Sequence, residues 1–120
     1  MATIMSITSL DLTHDKKIEL VNELENSLGQ IYTSALAITF QQVDAEFCTE
    51  MAIDQTTFFV CVPPQISIDK KRKTIEIIND TMLRVVGYKG QLKNIVLFHY
   101  HTEESVGKDG ELLVDMIKSK

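Results

Sequence analysis

His99 and His101 stand two residues apart in this 120-residue chain, with Glu103 and Glu104 close behind. Residues two apart in an extended segment point to one side. The run HYHTEESVGKDG therefore sets two imidazoles on one face with carboxylates nearby. Two imidazoles and a carboxylate are a donor set for a divalent transition metal. That set needs a further imidazole, and the one remaining histidine, His14, falls at the start of a helical pattern. The pair reads instead as partly exposed strand-end groups against a neighbouring subunit; no metal site is expected. Two arginines occur, Arg72 and Arg84, which excludes mechanisms built on several guanidinium clamps. No phosphate-cradling glycine loop, dinucleotide fingerprint, Ser-His-Asp order or nucleophile elbow is present. Cys48 and Cys61 lack metal-ligand spacing and read as two buried free thiols of a reducing cytosol. The lysine runs Lys16-Lys17 and Lys70-Lys71-Arg72-Lys73 read as solvated helix faces, and Met51 and Met82 as core gap-fillers.

The elements that must position these groups follow from hydrophobic periodicity. Thr3–Ile7 is a short β-branched run, expected as a strand. Thr13 then reads as a helix N-cap with Asp15 in the first turn. Ile18, Val21, Leu24 and Leu28 supply one apolar stripe, and Gly29 a stop. Ala35–Phe40 is a second strand, and the acidic stretch 44–55 a loop or short turn. Thr57–Val62 is a near-continuous apolar run, as for a strand buried on both faces, ended by Pro63-Pro64. Ser67 opens a second helix with the stripe Ile75, Ile78, Met82 and Val85 or Val86, closed by Gly87 and Gly90. Asn94–His101 is the fourth strand, and Glu111–Ile117 a short amphipathic tail.

Thr13-His14-Asp15-Lys16-Lys17 matches Ser67-Ile68-Asp69-Lys70-Lys71 at a constant offset (67 − 13 = 54), and each opens an amphipathic helix that leads into an apolar strand. The chain thus reads as a single domain over residues 1–120, with pseudo-repeats at about 2–43 and 56–101. Its class is α+β: a duplicated βαβ (βαββαβ) with a four-stranded mixed sheet and two helices on one face. The other face needs a cover, which favours a symmetric oligomer. A formal net charge of −5 argues against nucleic-acid or anionic-membrane partners. No apolar run approaches ~18 residues, and the first ten residues lack a signal peptide's basic flank, so a cytoplasmic location is expected.

The strand ATIMSITSLDL leading to THDKKIELVNEL, the strand TTFFVCVPPQ leading to SIDKKRKTIEII, and the segment NIVLFHYHTEESVGKDGELL together resemble the tautomerase superfamily. That group includes 4-oxalocrotonate tautomerase, macrophage migration inhibitory factor and malonate semialdehyde decarboxylase. Val106 to Glu111 is similar to the aromatic-Gly-x-x-Gly hairpin after the last strand of each family unit. The resemblance implies the tautomerase fold, a homotrimer, no bound cofactor, and a small carbonyl or enol compound as substrate.

It also implies a catalytic amine at residue 2, freed by removal of the initiator Met. The family carries proline there; this chain carries Ala2. Alanine is small enough to permit removal of Met1, and a free α-amine of ordinary pKa, ~7.7–8.0, is poised for general base work. Leu12, Ile66 and Ile95 stand where substrate-binding arginines are common in the family, with Phe40 at or near the equivalent strand position of the first half. Val106 stands for the pocket aromatic. The resemblance therefore assigns Ala2 as catalytic and His99, His101, Phe40 and Val106 as substrate-binding. The pocket it implies is apolar and suits neutral or singly charged keto-enols. The expected activity is keto-enol proton transfer, and the alternative is a catalytically lapsed relative that binds a ligand or partner.

Overall fold

The structure, a computed structural model, describes residues 2–87 and 93–118. Strand β1 (Ala2–Thr8), helix α1 (His14–Leu28) and strand β2 (Leu36–Gln42) form the first βαβ unit; β3 (Gln55–Val62), α2 (Ile68–Val86) and β4 (Lys93–Tyr100) form the second. β1 pairs with β2 in parallel and β3 with β4 in parallel, while β1 and β3 run antiparallel at the centre, giving the order β2-β1-β3-β4. A small ribbon, β5 (Gly107–Lys108) and β6 (Glu111–Leu112), and a short helix α3 (Leu113–Lys118) complete the chain.

Both long helices begin as their cap residues dictate. Thr13 Oγ1 accepts from Lys16 N–H at 3.2 Å and Ser67 Oγ from Lys70 N–H at 3.1 Å. Each bond satisfies an N–H that has no partner within its helix. Gly29 caps α1 in ordinary right-handed geometry, whereas Gly87 caps α2 at φ 84, a conformation that disfavours any side chain. The expected stop at Gly90 lies outside the described residues.

Side chains alternate across the sheet. Ala2, Ile4, Ser6 and Thr8 of β1 and Thr56, Phe58, Val60 and Val62 of β3 point into the core against both helices. From α1 the core takes Leu20, Leu24 and Leu28, not the expected stripe: Ile18 is exposed and Val21 half-buried. From α2 it takes Thr74, Ile78, Thr81, Met82 and Val85, while Ile75 is exposed. The threonines enter because their hydroxyls bond to carbonyls one turn back, Thr74 to Lys70 and Thr81 to Ile77, both at 2.7 Å. A hydroxyl so satisfied can be buried without the penalty of an unmade hydrogen bond.

Three further expectations are corrected. β3 is buried on one face only, since Phe59 and Cys61 on the other are half-buried in a chain whose open sheet face has no layer of its own above it. Stretch 44–55 holds two 3-10 turns, Ala45–Phe47 and Glu50–Ala52, which leave Met51 76% exposed and no gap-filler. Cys48 and Cys61 are free but half-buried. Among the described residues, no helix is long and apolar enough to cross a membrane.

Candidate functional site

Antiparallel pairing of β1 with β3 brings the start of β1, the end of β3 and the end of β4 to one edge of the core. Extending the register, Ala2 lies opposite Val62, and Val62 lies opposite Tyr100. Two strand spacings put Ala2 and Tyr100 about 10 Å apart along this row. α1 ends and α2 begins at the same end. Ala2 is fully buried, and its backbone N–H donates to the Ala35 carbonyl at 2.9 Å. A small side chain fits there because Leu36, Leu28 and Val62 close the core around this end.

Lys70 and Lys71, on the first turn of α2, are not the solvated pair expected. Lys70 Nζ lies 4.6 Å from the centre of the Tyr32 ring. Lys71 Nζ donates to Tyr100 Oη and sits 4.7 Å from the Tyr100 ring centre and 5.9 Å from that of Phe98. Their methylene stems cover apolar surface while the ammonium groups meet π faces. Arg72 and Lys73 do point to solvent. Tyr32 is buried, and its hydroxyl lies 2.7 Å from Thr74 Oγ1. Because Thr74 spends its proton on the Lys70 carbonyl, Tyr32 is the donor of that pair. Burial raises the Tyr32 phenol above its ordinary pKa, with the Thr74 bond opposing the shift.

Beside the row lies an open cleft of about 590 Å³ lined by Pro63-Pro64-Gln65, by His101 to Glu104, and by Leu113 and Val114 of α3. The His101 N–H donates to the Val62 carbonyl at 3.0 Å, fixing the imidazole's backbone beside the Ala2 row. His99 is one pleat back, exposed on the open sheet face in register with Cys61 and Thr3. The two histidines share strand parity with Ile95 and Leu97, while Val96, Phe98 and Tyr100 face the helices. Among the described residues, no group of three or more His, Cys, Asp or Glu side chains could hold a metal.

Ala2 and His101 thus share one end of one protomer, with Ala2 on the core side and the two histidines on the parity of the open face. Val106 is half-buried in the turn before β5, and its carbonyl accepts from Leu113 N–H at 2.8 Å. Phe40 is elsewhere: it pairs in register with Ser6, four residues along β2 from Leu36, and packs edge-on against Phe58 with ring centres 6.4 Å apart. Four residues of strand are about 13 Å. Within one protomer Phe40 and Ala2 are therefore separate. Neither arginine is turned toward this row: Arg72, near the start of α2, is exposed beside Asp69 at 3.1 Å, and Arg84, near the far end of α2, pairs with Glu23 at 2.8 Å. The polar groups that sequence reading missed are Tyr32, Tyr100, Lys70 and Lys71. Their one legible signal was that Lys70 and Lys71 fall on the first helical turn after a strand end, where a long side chain can fold back over the sheet.

In sequence, no protein-family model and no curated protein matches the chain. In structure, it is similar to the R7 fused 4-OT asymmetric trimer, with a TM-score of 0.80 at 11% identity over 95% of this chain and 98% of that one. Native fused 4-OT matches with a TM-score of 0.76 at 14% identity over 95% and 98% of the two chains. FG41 malonate semialdehyde decarboxylase inhibited by 3-bromopropiolate matches with a TM-score of 0.74 at 8% identity over 98% and 97%. At such identities the likeness is one of fold, and the fold is that of the tautomerases.

Proposed function

We propose that this protein moves a proton between carbon and oxygen in a small carbonyl compound, with the α-amine of Ala2 as base and acid. The observation that carries the reading is the position of Ala2. It opens a central strand of a tautomerase fold, with its nitrogen beside the Ala35 carbonyl and its side chain fully buried in the core cluster that also holds Leu28, Tyr32 and Val62. The chemistry requires that Met1 be removed, because a peptide nitrogen is not a base. The neutral amine takes a proton from the carbon next to the substrate carbonyl, and the C–H electrons become the enolate. The resulting ammonium returns a proton to the enolate oxygen, leaving an enol and a neutral amine. Ketonisation is the reverse.

His101 lines the adjoining cleft and serves as a polar anchor; His99 serves a neighbouring copy across the open face. Val106 and Phe40 join a substrate pocket through assembly, as a homotrimer brings parts of different protomers together. We assign the protein to the cytoplasm on its free thiols.

The second reading is a ligand-binding relative without catalysis. It is favoured by the absence of an inward-turned guanidinium beside Ala2 among the described residues, since Arg72 is exposed beside Asp69 and Arg84 pairs with Glu23. Ketonisation of phenylenolpyruvate, followed by ultraviolet absorbance with native protein and Ala2→Pro in parallel, separates the two. Activity in native protein that disappears when the terminus is acetylated supports the amine mechanism. Silence in native protein with activity in Ala2→Pro means an intact pocket without a competent base. Silence in both favours the binding protein.

A further inference from the structure

We propose that the groove between α1 and the edge strand β2 binds a small amphipathic carboxylate, held by the ammonium of Lys17 over an apolar floor. The inference goes beyond the proton-transfer reading, because the groove lies toward the end of β2 far from Ala2 and is built within one protomer.

The groove encloses about 260 Å³ and is lined by His14, Lys17, Ile18, Val21, Asn22 and Phe40. That volume is close to the ~300 Å³ at which ligand sites begin, so it suits a small molecule. Ile18 is 49% exposed, and Val21 and Phe40 are half-buried. Covering such a floor with hydrocarbon removes apolar surface from water. No lining residue is acidic, while Lys17 is half-buried and, among the described residues, in no ion pair. His14 shares its helix face three residues earlier and adds a ring nitrogen, and Asn22 adds an amide. Inward of Phe40, in register on β1, Ser6 Oγ is buried with no hydrogen-bond partner among the described residues. That hydroxyl is a donor the fold leaves unmet, and a carboxylate oxygen is an acceptor for it.

The second half of the molecule holds the same groove already filled. Lys71 is the counterpart of Lys17, and Phe98 that of Phe40, since the two phenylalanines pair with equivalent residues of the central strands, Val60 and Ser6. Lys71 Nζ lies over two rings there, 5.9 Å from the centre of Phe98 and 4.7 Å from that of Tyr100. In the first half Gln42 stands in the place of Tyr100, and it offers Lys17 no ring. Its side-chain amide is spent on the Leu12 N–H and on Asp11. One groove has thus used its lysine to close itself, and the other keeps its lysine unpaired beside an apolar floor. An anion with an apolar body matches both features, whereas a cation would meet the Lys17 ammonium.

The test is an amide chemical-shift titration of the full chain with hydrocinnamate, with its neutral amide and with the cationic phenylpropylamine. The expected result is a saturable shift at the amides of the first two turns of α1 and of β2 around Phe40. Hydrocinnamate should bind about threefold more tightly than its amide, the size of a partly exposed ion pair, and phenylpropylamine more weakly than either. Lys17→Met should bring hydrocinnamate down to the affinity of the amide, while Lys71→Met should leave it unchanged. Should Lys17→Met fail to fold by circular dichroism, the ranking of the three probes on native protein still decides. Equal binding of the three, no response of the groove amides at saturation, or shifts centred on Ala2 or on the open-face residues Met5 and Leu97 would overturn the inference. Ketonisation plays no part in the readout, so a responsive groove in an inactive protein would sink the Ala2 reading and leave this one standing.

Discussion

The two ends of the sheet are built by the same strand arithmetic and differ in what they hold. At one end the row Leu36, Ala2, Val62, Tyr100 meets the ammonium of Lys71. At the other, the equivalent row is Gln42, Thr8, Thr56, Asn94, and the hydroxyls of Thr8 and Thr56 bond to each other at 2.8 Å in full burial. Ala2 and Thr56 hold equivalent places in β1 and β3, and the difference between the ends lies in what surrounds them: apolar Leu36 and Val62 beside Ala2, a hydroxyl and two amides beside Thr56. The far end has been closed as structure: Gln42 accepts from Leu12 N–H at 3.3 Å and its amide reaches Asp11, pinning the loop after β1 to β2.

The largest expected effect is one that treats both ends alike. Phe58 is fully buried in the middle of β3 and touches Phe40 edge-on, so Phe58→Ala should cost about 3–5 kcal/mol by chemical denaturation. A single transition is expected; separate transitions for the two halves would break the picture of one shared core.

Next is the closed end by itself. Thr8→Val leaves the buried Thr56 hydroxyl without its partner and should cost about 1–3 kcal/mol, while Thr8→Val/Thr56→Val should recover much of that. Denaturant midpoints for the full cycle decide it, and strict additivity would mean that the hydroxyl pair is not a unit.

Lys71 and Lys17 hold equivalent places on the two helices, yet Lys71 meets two aromatic rings and a phenol whereas Lys17 borders a shallow groove with Ile18, Val21 and Phe40. Lys71→Met should destabilise by about 0.5–1 kcal/mol, and Lys17→Met should stay within about 0.5 kcal/mol of native protein. Equal effects would remove the electrostatic distinction between the ends.

The smallest effect is confined to alkaline solution. The Tyr32 phenol is raised in the folded state by burial, so the native chain holds this proton at a pH where the unfolded chain has lost it. Stability from this group is complete below about pH 10, the ordinary phenol value, and falls as pH rises through the folded value. Tyr32→Phe should therefore flatten the alkaline loss of stability in thermal melts. An unchanged slope would show that Tyr32 does not control it.

Much of this architecture was legible because it is local. The caps Thr13 and Ser67 act on N–H groups three residues away, and the offset between them carries the repeat. The four-stranded mixed sheet with two helices on one face was legible once the two βαβ units were recognised. What failed is what depends on the third dimension. Ile18 and Ile75 have the hydrophobicity of core residues, but helix phase turns them out, and Thr74 and Thr81 take the inward places because their hydroxyls are satisfied one turn back. The inward fold of Lys70 and Lys71 depends on Tyr32, Phe98 and Tyr100, up to 38 residues before and 29 after in the chain, so composition reads them as solvated (70 − 32 = 38; 100 − 71 = 29). The candidate roles of Ala2 and His101 both came from resemblance. The pairing of α2's first turn with the end of β4 could be seen only in the fold.

The most direct test of the Ala2 amine compares two titrations in one preparation whose intact mass lacks Met1. The first is the pH dependence of kcat/KM for phenylenolpyruvate ketonisation; the second is the chemical shift of the 15N-labelled Ala2 amine. The account predicts that the rate and the shift follow a common midpoint. A rate that ignores the amine's titration, or full activity in protein that retains Met1, would contradict it.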